Sequence, residues 1–282
     1  MSFTTFDHDG LALNCWDDGG PGLPVVFQHG LCGAEPQVAE VLPPVSSRPE
    51  AGRSQGDFPA YRRLTLECRG HGRSEPGPLD RLSIATFADD LAAFIEERVG
   101  RPVILGGISM GAAIASRLAV TRPDLVRALV LARPAWVTAS APANMAPNAL
   151  VGRLLAEHDP AEARRLFEAS ATASDLAAHA PDNLASLRGF FAREPLDVTS
   201  ALLTRISADG PGITPSDLGT LSMPTLVIGH GQDAIHPMAH AADLALLIPQ
   251  ARLVEITPKA IDRGRYTAEF RSSLHGFIRA AN

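Results

Sequence analysis

The strongest constraint on this 282-residue chain is an alternation of two patterns. Short apolar runs at residues 23–28, 63–67, 102–105 and 126–131 are separated by stretches whose apolar residues recur at helical spacing. Runs without polar alternation read as strands buried on both faces, as in a parallel sheet covered by helices. Residues 83–99 place Phe87, Leu91, Phe94 and Ile95 on one helical face, and Gly100 follows as a stop. Residues 110–120 form an Ala-rich helix ended by Arg122-Pro123. Ahead of these, alternating stretches at 3–7 and 11–16 flank Asp9-Gly10, a hairpin signal.

From about residue 138 to 218 the strand pattern disappears, and only helix-length segments follow, at 149–158, 161–169, 183–193 and 197–206. Strands return at 224–229 and 251–256, with helices at 238–247 and 265–279. The expectation is an α/β fold with a mostly parallel, eight-stranded sheet flanked by helices and an all-helical insert after the sixth strand. The core would comprise 1–136 and 221–282, and the cap 137–220. Residues 43–56 read as a surface loop.

Composition narrows the function classes. Hydrophobic residues make up 45% of the chain and its net charge is −6, so it can bury a core and is not disordered. Acids outnumber bases 31 to 25 without a basic tract, which argues against a nucleic-acid partner. Cys15, Cys32 and Cys68 lack CxxC spacing, so neither a disulfide framework nor a zinc site is indicated. Buried thiols in a reducing compartment fit better. No apolar run reaches the ~18 residues of a membrane span, and the N-terminus lacks a signal pattern. The expectation is a cytoplasmic chain with no metal or organic cofactor, a small-molecule substrate, and an oligomeric state the sequence leaves open.

The sharpest local signal is Gly107-Ile108-Ser109-Met110-Gly111, between a strand and a helix. A turn that tight strains Ser109 and requires small residues two positions either side, while the helix N-terminus offers unpaired N–H groups to an oxyanion. The alternative is a glycine-bracketed turn that merely packs helix on strand.

Three motifs resemble the α/β-hydrolase superfamily, in its capped branch: Phe27-Gln28-His29-Gly30, Arg69-Gly70-His71-Gly72-Arg73-Ser74 and the Ser109 turn. The resemblance implies Ser109 as nucleophile and the backbone N–H groups of Leu31 and Met110 as oxyanion hole. It implies Asp233, in Asp233-Ala234-Ile235-His236-Pro237, as the acid; a turn or cap role is the alternative there. His29 would brace its loop beside the substrate rather than act as base.

The family's chain order then calls for a histidine after the last strand. This chain has Thr257-Pro258-Lys259-Ala260-Ile261-Asp262-Arg263, and the expected position falls on Ala260 or Ile261. Losing that base costs about 10⁶ in turnover in a well-characterised serine hydrolase. Four readings compete: His236 swings in; Lys259 or Asp262 serves; the chemistry needs an oxyanion hole but no acyl-enzyme; or the chain is a non-catalytic relative. His275 reads as packing or surface. Arg133 and Trp136 follow a strand end and are candidates to line the pocket, Arg133 facing a substrate carboxylate or phosphate or else tied to a cap carboxylate. Glu67 and Arg69 could pair with each other.

The leading expectation is a serine hydrolase of a small ester or lactone, anionic if Arg133 faces it. Enol-lactonases and carbon–carbon bond hydrolases share the architecture. The rival is a non-hydrolytic relative, either a ligand-binding or regulatory protein or a lyase or decarboxylase using the same pocket.

Overall fold

The computed structural model describes residues 2–44 and 61–281. Beyond residues 43 and 44, the expected 43–56 loop lies outside the described residues. The chain opens with β1 (Ser2–His8) and β2 (Leu11–Asp17), an antiparallel hairpin that turns at Asp9 and Gly10, both at positive φ. Then follow β3 (Leu23–Gln28), α1 (Glu35–Val41), β4 (Tyr61–Leu66), α2 (Ile84–Arg98), β5 (Val103–Ile108), α3 (Met110–Thr121) and β6 (Val126–Ala132). After the helical insert come β7 (Thr225–Gly229), α10 (Met238–Leu247), β8 (Ala251–Glu255) and α11 (Arg263–Ala280).

Among the described residues eight strands form one sheet, ordered β1-β2-β4-β3-β5-β6-β7-β8 and parallel from β4 onwards. The period-two alternation of a strand divides its apolar side chains between two cores. Leu105, Leu129 and Leu131 join one with α2, α3 and α10, while Ile104, Ala128 and Val130 join the other with α1 and α11. Burial on both faces is why these strands read as continuous apolar runs rather than alternating ones.

The insert holds α4 (Ala146–Glu157), α5 (Pro160–Glu168), α6 (Ala171–His179), α7 (Pro181–Phe190) and α8 (Leu196–Ala208), followed by the short α9 (Pro215–Gly219). Its apolar residues build a core of their own, with Val151, Phe167, Leu184, Leu187 and Leu203 at its centre. The short helices first bury their apolar stripes against one another. The seam against the sheet consists of Leu31, Cys32 and Ala234, which pack on this cluster from the sheet side, and of Val198, Leu202 and Ile206 of α8, which reach into the sheet's core.

Candidate active site

Four adjacent strands deliver the site. Register pairs Gln28 of β3 with Gly107 of β5, Ile108 of β5 with Ala132 of β6, and Ala132 with Ile228 of β7. The residues that follow each strand therefore emerge side by side at the carboxyl edge, where open α/β sheets bind ligands.

Ser109 alone makes the turn from β5 to α3, at φ 58 and ψ −114. A side chain there costs on the order of 1–3 kcal/mol in backbone strain. The flanking glycines are sterically required. A Cβ on Gly107 would lie 2.3 Å from the Gly111 carbonyl carbon, and one on Gly111 would lie 2.6 Å from the Gln28 oxygen. The Ser109 N–H donates to the Ala132 carbonyl at 3.0 Å, which ties the turn to β6. Its hydroxyl has no hydrogen-bond partner among the described residues. Met110 heads α3, so its N–H has no carbonyl one turn earlier in the helix.

The loop after β3 runs alongside. A Cβ on Gly30 would sit 3.4 Å from Ser109 Cβ, which puts the backbone leading into Leu31 against the Ser109 turn. Gln37 Oε1 accepts the Gly30 N–H at 2.7 Å, and the Gly33 N–H donates to the Gly30 carbonyl at 2.9 Å. His29 is fully buried; its Nδ1 lies 2.8 Å from the Gly30 carbonyl and its Nε2 accepts the Cys68 N–H at 3.1 Å. Both ring nitrogens thus hold backbone, and burial weakens its affinity for a proton. Cys32 stands at φ 58, and burial pushes its thiol up to about 12, so it is a filler and not a nucleophile.

Asp233 sits in the loop after β7 with its side chain 1% exposed. Arg133, directly after β6, donates to Oδ2 from Nε at 3.0 Å and from Nη2 at 2.6 Å. Asn183 of α7 donates from Nδ2 to Oδ1 at 2.9 Å. The backbone N–H of His236 meets Oδ1 at 3.0 Å, and its Nδ1 lies 2.9 Å from both oxygens. Burial alone would raise the Asp233 carboxyl, but His236 and Arg133 more than offset it and hold it far below the usual carboxylate range. For His236 burial dominates: with Arg133 it outweighs the attraction of Asp233 and lowers the proton affinity of the ring.

Residues 24–259 match the alpha/beta hydrolase fold family. The chain belongs to the α/β-hydrolase family. It is 27% identical over 258 residues to the sn-1-specific diacylglycerol lipase ABHD11 of Mus musculus, covering 86% of this chain and 76% of that protein. In fold it is similar to the enol-lactonase of Burkholderia xenovorans LB400, with a TM-score of 0.69, 22% identity, and 96% and 99% of the two chains covered. It is also similar to a meta-cleavage product hydrolase of Pseudomonas fluorescens IP01, with a TM-score of 0.72, 19% identity, and 99% and 98% covered.

The remaining candidates on this hydrolase chain fall out as follows. Arg133 is tied to Asp233 and not to a cap carboxylate. Trp136 is 2% exposed and donates from Nε1 to the Asp209 carbonyl at 3.0 Å, so it is part of the core. Between β8 and α11, Asp262 caps α11 by accepting the Arg265 N–H at 2.9 Å. The Lys259 ammonium lies 5.9 Å from the centroid of the Tyr266 ring. His275 is buried in α11, its ring 6.1 Å from that of Tyr61. Glu67 and Arg69 do not pair: Arg69 binds Asp90 bidentately at 2.8 and 2.7 Å, and Glu67 accepts the Arg73 N–H and Asn14 Nδ2. The two side chains find separate partners beyond the end of β4.

Sequence reasoning missed Asn183 and Arg193. Asn183 is 4% exposed and also accepts the Ala234 N–H at 2.7 Å, and Arg193 donates to the Gly70 carbonyl at 2.7 Å. Neither sits in a motif, because each acts by bridging insert and sheet, a contact with no local signature. No group of His, Cys, Asp and Glu among the described residues is arranged to hold a metal ion. No helix among them is long and apolar enough to cross a membrane.

Proposed function

We propose that this chain is a serine hydrolase of small esters or lactones, with Ser109 as nucleophile and His236, oriented by Asp233, as general base. The observation that carries the reading is the Ser109 turn: a strained, glycine-bracketed serine whose hydroxyl has no partner, set against the Gly30 backbone. Strain of this kind persists only where the surroundings enforce it, and it clusters at functional sites.

With Nδ1–H donated to Asp233, His236 keeps Nε2 as its acceptor nitrogen. Ser109 Oγ attacks the substrate carbonyl while its proton passes to Nε2. The oxyanion takes N–H donors from Leu31 and Met110, each worth about 2.7–4 kcal/mol in comparable sites. The same proton then goes to the departing alkoxide, leaving an acyl-Ser109 ester. Water deprotonated by His236 hydrolyses that ester and restores the free hydroxyl. This proton path requires Ser109 Oγ and His236 Nε2 to come within hydrogen-bond reach when substrate binds, as catalytic pairs that are long without substrate frequently do. The lipase and enol-lactonase activities named for the relatives belong to the same ester-cleaving class.

A second reading, a protein that holds a ligand without turning it over, draws on the same unpartnered hydroxyl and on the engagement of Asp233 by Arg133. Intact-protein mass after incubation with a fluorophosphonate separates the two. The hydrolase reading expects one adduct, absent from Ser109→Ala and at least a hundredfold slower to form in His236→Ala. Wild-type protein that stays unlabelled for hours would overturn the hydrolase reading.

A further inference from the structure

The acid of this site is saturated. A carboxylate offers about four lone-pair positions. Among the described residues the two oxygens of Asp233 already receive Nε and Nη2 of Arg133, Nδ2 of Asn183, and both the backbone N–H and Nδ1 of His236. Sheet register explains how Arg133 comes to be there. It follows the strand between those of Ser109 and Asp233, its own N–H donates to the Ile228 carbonyl of β7, and its φ of 44 turns the chain off the strand. Its Nη2 is 3.2 Å from His236 Nδ1 and its Nη1 3.4 Å from the Tyr266 hydroxyl. Arg133 Cζ and Lys259 Nζ each lie 5.9 Å from the Tyr266 ring centroid, so the guanidinium on Asp233 shares a neighbour with the segment before α11 that carries Ala260.

We propose that Arg133 is a positioning residue: its guanidinium takes the place at Asp233 that the family's histidine would hold, and its charge, 3.2 Å from His236 Nδ1, opposes a second proton on that ring. The inference rests on the reading of His236 as base for Ser109. With those donors in place, Ala260→His finds no free lone pair on Asp233, so one substitution does not rebuild a conventional triad.

The groups that face His236 are few. Asp233 lies in its own loop and Arg133 follows β6. His230 follows β7, with Nε2 3.5 Å from Asp233 Oδ2, and His240 lies on α10. Tyr266 of α11 lies behind Arg133 and Lys259 lies over the Tyr266 ring. Asp233 favours a proton on His236, whereas Arg133 and His240 oppose it. Removing the Arg133 charge leaves the attraction of Asp233 less opposed, so the proton affinity of His236 rises.

The test is an NMR titration of the His236 ring in Ser109→Ala protein, with and without Arg133→Met, paired with pH–rate profiles in the Ser109 background. The His236 midpoint and the acid limb of kcat/KM are expected to move to higher pH by about one unit or more when Arg133 is removed. Arg133→Gln, which retains an N–H for Asp233 while removing the charge, gives the same readout should the methionine variant fail to fold. Ala260→His alone is expected to leave fluorophosphonate reactivity within threefold of wild type, and to raise it only together with Arg133→Met. An unmoved His236 midpoint in folded variants, or full rescue of His236→Ala by Ala260→His with Arg133 in place, overturns the proposal. An unlabelled Ser109 would instead remove the hydrolase reading, while the titration would still report on Arg133.

Discussion

The backbone at Ser109 puts stability and function in opposition at a single residue. Glycine tolerates φ 58 and ψ −114 at little steric cost, so Ser109→Gly releases strain of about 1–3 kcal/mol, offset by about 0.4–1 kcal/mol of extra chain entropy in the unfolded state. The variant should unfold higher than wild type by about 2–4 °C in a calorimetric scan while losing all fluorophosphonate labelling. A melting point at or below that of wild type would mean the turn is relaxed. Ser109 and its glycines were fully legible in the sequence, because the strand–turn–helix chemistry is local. The engagement of Arg133 by Asp233 was not, because the pair is separated by 100 residues and meets only through strand register.

At the scale of elements, the seam between insert and sheet governs the site. Asn183 near the start of α7 makes a two-point contact with the acid loop, donating to Asp233 and accepting from Ala234. Asn183→Leu is close in size but leaves the Ala234 N–H without its partner, at a cost of about 1–3 kcal/mol. Amide exchange should accelerate in α7 and in residues 230–237 while the β5 and β6 amides keep their protection; uniform acceleration throughout would show that the insert has no independent latch. The elements themselves were unevenly legible. β3 and α10 match their sequence-read spans to the residue, since long apolar runs and clear stops mark them. The helices α1, α6 and α9 were missed. They are short, with one-sided apolar patterns too brief to stand out, and α6 is set off from α5 by only Ala169 and Ser170.

Over the whole molecule, the histidines decide how the fold responds to acid. Among the described residues His29, His71, His230, His236 and His240 all have proton affinities lowered mainly by burial. Their stabilisation is therefore complete above the unfolded-state value near 6.5, and it is lost as pH falls from there through the lower folded values. Below 6.5 the unfolded chain binds more protons than the folded one, so stability rises with pH across this window. Each tenfold weakening of proton affinity is worth about 1.4 kcal/mol. Melting temperature should fall between pH 7 and pH 5, before the carboxylates begin to titrate. A flat profile down to pH 4.5 would show that these rings reach solvent in the folded state.

What this sequence determines by itself is whatever a short stretch of chain can encode. The buried parallel strands, the Asp9-Gly10 hairpin, the Ser109 turn and the run of helices after β6 all follow from apolar periodicity and turn chemistry acting over a few residues. The lack of a histidine between β8 and α11 is equally plain from the chain. Only the tertiary structure decides which side chains meet Asp233, because lone pairs and charges are satisfied in space and not along the chain. Parallel register sets Arg133 between the strands of Ser109 and Asp233, and the insert lowers Asn183 onto the same carboxylate. Burial then fixes the outcome: a carboxylate shut away from water must be matched by every donor its neighbours can bring.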